Sequence, residues 1–162
     1  MTAAAIFLES VARPALILHA ILGVTAVGAA THLAVYAVLA LRGRQGSGLR
    51  RFGWIAPAFT VPQFALGLAL YPVYRVRVRL EHLDRSAPFV TQLFDFKEHL
   101  AGIGLALLVA AAVLARVVSR QKPGATDLGP ALAAVSGSSA ALLWVTAIIG
   151  LYVTARHPVG LP

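Results

Sequence analysis

The sequence predicts an all-α fold, an integral-membrane four-helix bundle with an interfacial amphipathic segment between its second and third helices. Three observations predict it. Of 162 residues, 59% are hydrophobic and only 12% charged, and the mean hydropathy is +0.79, whereas a soluble domain carries about one quarter charged residues. All of the charged residues lie outside four charge-free runs, Pro14–Leu41, Phe52–Tyr74, His99–Ala115 and Leu128–Ala155. These runs are 28, 23, 17 and 28 residues long, against the roughly 20 that a bilayer core asks of one helix. A soluble enzyme, a secreted disulfide domain and a disordered tail are excluded by the same figures.

The first helix is expected at about residues 14–41. No Lys or Arg precedes the apolar Ala3–Leu8, and the stretch after Arg13 runs far beyond the 7–15 residues of a signal-peptide core, so this helix is read as retained. The second helix, about 52–74, carries Pro57 and Pro62 and should be kinked there, with Gln63 beside the kink. The third run is short, so its helix must draw in residues at one end and is placed at about 93–118. The fourth is placed at about 129–155, and residues 1–162 form a single domain. Small residues at Ala26/Ala30/Ala34, Ala106/Ala110 and Ser136–Ala140 supply the close-packing seams that bundles use where lipid removes the hydrophobic drive between helices.

Between the second and third helices, Arg75–Ala87 admits two patterns. Arg75, Arg77 and Arg79 alternate with Val76, Val78 and Leu80 as in a strand, while Val73, Val76, Leu80, Leu83 and Ala87 recur at helical spacing. The i,i+4 pairs Arg77/Glu81 and Glu81/Arg85, and the lack of a partner strand, favour a helix lying on the membrane interface.

An even number of spans puts both termini and Arg75–Thr91 on one side, called side B, and the loops Arg42–Arg51 and Ser119–Asp127 on side A. Each side receives seven of the 14 Lys and Arg residues, so the positive-inside rule ties. Their crowding into two short loops makes side A the cytoplasmic side of the cell membrane. The net charge of +8 reflects arginines meeting lipid phosphates rather than nucleic acid, because no aromatic-interleaved basic stripe is present. The absence of cysteine excludes thiol chemistry, Cys-ligated clusters and covalent c-type haem attachment.

Five histidines are the informative residues, since ionisable groups within spans are costly and usually face the bundle interior. His19 and His99 lie five and six residues into their helices from side B, at nearly equal depth. Two neutral imidazoles at one level are what a b-type haem asks of a bundle, with basic groups at the surface for its propionates. Arg75 and Arg79, with Arg13, Arg85 and Arg156, offer the latter. Asp95, four residues before His99, is expected to hold the ring N–H with its carboxylate. The bland alternative is that each histidine makes an interhelical hydrogen bond within an ordinary charged helix start.

His32 lies 13 residues from His19, which leaves the two about 140° apart on the helix and argues against a second haem. It is expected to make a polar contact with Thr60, Gln63 or the Ser136–Ser139 cluster. His82 and His157 are read as solvated or head-group contacts. In outline the arrangement resembles small four-helix b-type cytochromes, without a family motif.

The function expected is a small haem b electron-transfer or quinone-interacting subunit, with the lipid bilayer and other membrane subunits as partners. A cofactor-free scaffold subunit is the alternative. A small proton-coupled transporter is a further one, disfavoured because no carboxylate sits in mid-span. No self-contained catalytic motif appears. The topology predicts that reporter fusions at residues 46 and 124 read out one side and fusions at 83 and the C-terminus the other; a split within either pair overturns the four-span arrangement.

Overall fold

The computed structural model describes residues 6–44, 46–121 and 126–156. After a short 3₁₀ turn at Glu9–Val11, four long helices follow: α1 (Ala12–Leu41), α2 (Ser47–Val73), α3 (Pro88–Val118) and α4 (Gly129–Arg156). All four are long and apolar enough to cross a membrane, and no strand occurs among the described residues. Each helix packs against its chain neighbour and α1 also packs against α4, which closes a ring of four and leaves α1 and α3 on one diagonal.

Glycines set how closely the helices approach. An added Cβ at Gly23 would lie 3.8 Å from the Gln63 amide nitrogen, and one at Gly67 would lie 2.9 Å from His19 Cε1. The α1/α2 pair therefore interlocks reciprocally: His19 of α1 sits on Gly67 of α2, and Gln63 of α2 sits on Gly23 of α1. The same antiparallel register sets the buried Ala30 and Ala37 level with the buried Ala56 and Leu49. An added Cβ at Gly53 would lie 3.2 Å from the Ala115 Cβ of α3, and Gly104 lets Ser139 of α4 donate to its carbonyl at 2.9 Å.

Most other hydroxyls in the helices bond back to their own turn, as groups facing apolar surroundings must. Thr25, Thr31, Thr60 and Ser136 each donate to the carbonyl four residues earlier. Two of the three small-residue seams are used in this packing. Ala26, Ala30, Ser136, Ser139 and Ala140 are buried, whereas Ala106 and Ala110 both face outward.

The helix ends follow local chemistry. Gly43, at φ 73°, closes α1, with Arg44 N–H donating to the Leu39 carbonyl at 3.0 Å. Pro88 starts α3 at a position where its missing N–H is harmless. Asp127 caps α4 by accepting from the Gly129 N–H at 2.9 Å. The α2 helix begins five residues earlier than its charge-free run, so Ser47–Arg51 is helical and the side A loop is shorter than expected.

Tyr74–Leu83 is helical, as the 3/4 spacing of its apolar residues implies, but it is a π-helix, followed by one α-turn at Asp84–Ser86. Pro72, which has no N–H for the i→i−4 ladder, lies two residues before the wider turns begin.

Replacing Gly67 by Ala should lower stability in detergent by about 1–3 kcal/mol, the usual range for an overpacked contact. Adding His19→Ala should recover much of that loss. Additive losses in chemical denaturation of the two variants and their combination would show that His19 does not sit on Gly67.

Candidate functional site

The polar groups of the bundle's interior gather at side B and descend in order. Outermost, the π segment is tied to both neighbours. Arg77 Nε donates to Glu9 at 2.7 Å and its Nη1 to Glu81 at 2.9 Å, while Arg79 reaches Asp95 at 2.8 Å and Asp84 at 3.5 Å. Thr91 closes the group by donating to Asp84 at 2.9 Å. These side chains are about one quarter to two fifths exposed, so each pair contributes at most about 1 kcal/mol.

Beneath this layer Tyr74 stacks on Phe94 with ring centroids 3.8 Å apart, and Tyr71 lies 6.3 Å from the same ring. The Lys97 ammonium sits 4.7 Å from the Phe94 centroid. Its stem runs past Gly150 of α4, where an added Cβ would lie 3.9 Å from Lys97 Cδ. The Tyr74 hydroxyl is buried and has no hydrogen-bond partner among the described residues. A buried donor left unpaired costs about 1–3 kcal/mol, so this atom marks a place where an acceptor belongs.

Deeper still, His19 lies within electrostatic reach of Lys97. Its Nδ1–H donates to the Gln63 carbonyl at 3.0 Å, and its Nε2 accepts from the Gln63 amide at 3.1 Å. Both nitrogens are therefore engaged by α2. A carbonyl oxygen can only accept, which fixes the neutral Nδ1–H tautomer.

His99 has different surroundings. It is exposed, and its Nδ1–H donates to the Asp95 backbone carbonyl at 2.8 Å. Successive residues on a helix are 100° apart, so with Lys97 turned onto Gly150 of α4, His99 lies about 200° away on the outward face. No hydrogen bond, ring contact or ion pair joins His19 to His99.

Two sequence expectations change in detail. The Asp95 carboxylate holds Arg79, and its carbonyl rather than its carboxylate holds the His99 ring. His32 makes no hydrogen bond to another helix. It donates to the Gly28 carbonyl of its own turn at 2.8 Å and meets α2 only by stacking on Phe52, centroids 4.8 Å apart. Thr60, Gln63 and Ser139 are already engaged with Ala56, His19 and Gly104. Arg75 and Arg85 are exposed, as is Arg13, and His157 lies outside the described residues.

Sequence reasoning missed Tyr74 and Lys97 as site residues. Tyr74 closes the second charge-free run, and Lys97 alone in the third helix start faces a glycine; both signals emerge only once helix faces are assigned. No family model matches the chain, and neither a curated protein nor a solved structure matches it.

Tyr74→Phe removes an unpaired hydroxyl and should leave stability unchanged or raise it by up to about 1 kcal/mol. Asp95→Ala should loosen the π segment without unfolding the bundle. Hydrogen exchange reads both: amides of Tyr74–Leu83 should exchange faster in Asp95→Ala only, and equal protection in the two variants would show that the Arg79 tie does not hold the segment.

Proposed function

We propose that the protein is a multi-pass subunit of a larger redox complex in the cell membrane, and that its side B interior receives the head group of a membrane-soluble quinone. The observation that carries the reading is the buried, unpartnered Tyr74 hydroxyl, in a cluster where Tyr74 and Lys97 both pack on Phe94. A quinone head is a flat ring with two carbonyl acceptors. Phenol and ammonium are donors of the kind it needs. Reduction to the quinol takes two electrons, supplied by a redox centre of the partner subunit, and two protons, for which Lys97 and Glu98 line the approach from side B. In this reading the Arg42–Arg51 and Ser119–Asp127 loops face the cytoplasm, and the π segment lies on the opposite interface.

A haem b between His19 and His99 asks more of the chain. An axial pair brings two ring nitrogens to roughly 2 Å from one iron, on the scale of metal–imidazole bonds. His19 would have to release Gln63 and α3 would have to turn by half a revolution. His99 Nε2, with Nδ1–H held by a carbonyl, is instead suited to a ligand shared with a neighbouring subunit, with Arg75 and Arg79 as the basic groups nearby.

The cofactor-free scaffold is favoured by one observation of its own. Gly102, Ala106 and Ala110 form an i,i+4,i+8 stripe on α3 that lies outside the bundle's own packing, and nothing lies within 4 Å of where a Gly102 Cβ would be.

Titrating purified protein in detergent with a short-chain benzoquinone should give saturable binding that Tyr74→Phe and Lys97→Met each weaken about tenfold or more, while Tyr71→Phe leaves it unchanged. Binding indifferent to both substitutions overturns the quinone site. A haem spectrum lost in His99→Ala points to the haem form, and a colourless protein with no quinone binding points to the scaffold.

A further inference from the structure

All four ion pairs among the described residues lie at side B. At side A, Arg42, Arg44, Arg50, Arg51, Arg116 and Arg120 form none, and the acid described there, Asp127, caps α4. The basic groups are not scattered. The Arg116 guanidinium lies flat over the Trp54 ring, 3.4 Å from its centroid, and its Nε is buried without a hydrogen-bond partner. The close approach of Gly53 to Ala115 is what lets Arg116 of α3 reach across to α2.

Arg50 and Arg51 stand four and three residues before Trp54, so they share its face one turn nearer the surface. Arg120 lies in the turn that follows α3, four residues after Arg116, and because α2 and α3 are antiparallel it stands at the same end of the bundle as Arg50 and Arg51. The first turn of α2 adds more positive character. Its N-cap, Gly46, provides no side-chain cap, and the exposed N–H groups carry the positive end of the helix dipole where two arginines already sit. Four arginines and a helix N-terminus thus stand at one end of the α2/α3 pair, and none of the four forms an ion pair among the described residues.

We propose that side A carries a specific site for the phosphate of an anionic glycerophospholipid, formed by Arg50, Arg51, Arg116 and Arg120 around Trp54. Guanidinium groups match phosphate oxygens bidentately, and the Trp54 shelf orders Arg116 before the ligand arrives. The lipid, rather than free phosphate, is the occupant because Trp54 is 58% exposed and the outward face of α2 continues below it through Val61 and Leu68, which are 48% and 60% exposed. An acyl chain attached to the bound phosphate runs along that apolar stripe. The proposal rests on reading the four helices as membrane spans, which resistance of the protein to alkaline-carbonate extraction tests separately.

The chain has two tryptophans, so Trp144→Phe leaves Trp54 as the sole fluorescent reporter at the site. In mixed micelles of constant total lipid, short-chain phosphatidylglycerol should change its emission saturably, and matched phosphatidylcholine or inorganic phosphate should not. Arg116→Gln, and separately Arg50→Gln with Arg51→Gln, should raise the midpoint about tenfold or more, the exposed pair guarding against misfolding of the Arg116 variant. Arg75→Gln with Arg85→Gln, at side B, should leave it unchanged. An equal response to phosphatidylcholine, a response to phosphate alone, or wild-type midpoints in both side A variants overturns the site.

Discussion

The reciprocal seating of His19 on Gly67 and Gln63 on Gly23 is the contact on which the rest of the arrangement depends. Between apolar helices in lipid there is no hydrophobic gain to be had from one register over another. Shape and hydrogen bonds must choose it. Here each helix offers a polar side chain and, four residues on, a glycine to receive its neighbour's, so a slip of one turn would drive His19 or Gln63 against a bulkier residue and leave the imidazole unsatisfied. That register carries Ala30, Ala56, Ala37 and Leu49 into the core together. It also fixes where α2 presents Gly53 to α3, and hence where α3 presents Gly104 to Ser139 and Lys97 to Gly150.

The two ends of the bundle solve the same electrostatic problem in opposite ways. Side B carries Glu9, Glu81, Asp84 and Asp95, and they neutralise Arg77 and Arg79 within the chain. Arg77 reaches Glu9 and Arg79 reaches Asp95 of α3, so the two residues pair in different directions from one segment. Side A forms no ion pair among the described residues, and its Arg116 packs on the Trp54 ring instead. Net charge treats the two ends as equivalent; pairing distinguishes them.

The fold was legible because four long charge-free runs make the sequence signal coarse. Charge-free runs gave the four helices, and the missing residues of α3 were recovered at its start, where Asp95, Lys97 and Glu98 are helical as the short third run required. The helical character of Arg75–Ala87 followed from the spacing of Val76, Leu80 and Leu83, yet that spacing does not distinguish π turns from α turns. The site was less legible. Depth along a helix can be counted, and His19 and His99 were placed at similar depth, but the face a residue shows is decided by glycines on other helices. Gly150 takes Lys97 and Gly67 takes His19, and neither glycine belongs to any motif.

What a histidine can do inside such a bundle is set by which of its nitrogens is already spoken for. In His19, His32 and His99 alike, Nδ1 faces a backbone carbonyl, so Nδ1 carries a proton in all three. The difference lies at Nε2. In His19 that lone pair accepts from Gln63, which makes the residue a structural clasp whose release would unseat α1 from α2. In His32 the ring is held against Phe52. In His99 no protein group takes it, and the ring stands on the same outward face as Gly102, Ala106 and Ala110. An unengaged acceptor facing lipid is unfavourable, whereas the same acceptor facing another helix is a point of attachment. The histidine expected to be half of an internal pair stands on the outward face, while Tyr74 and Lys97 are the polar side chains that pack on Phe94 in the interior.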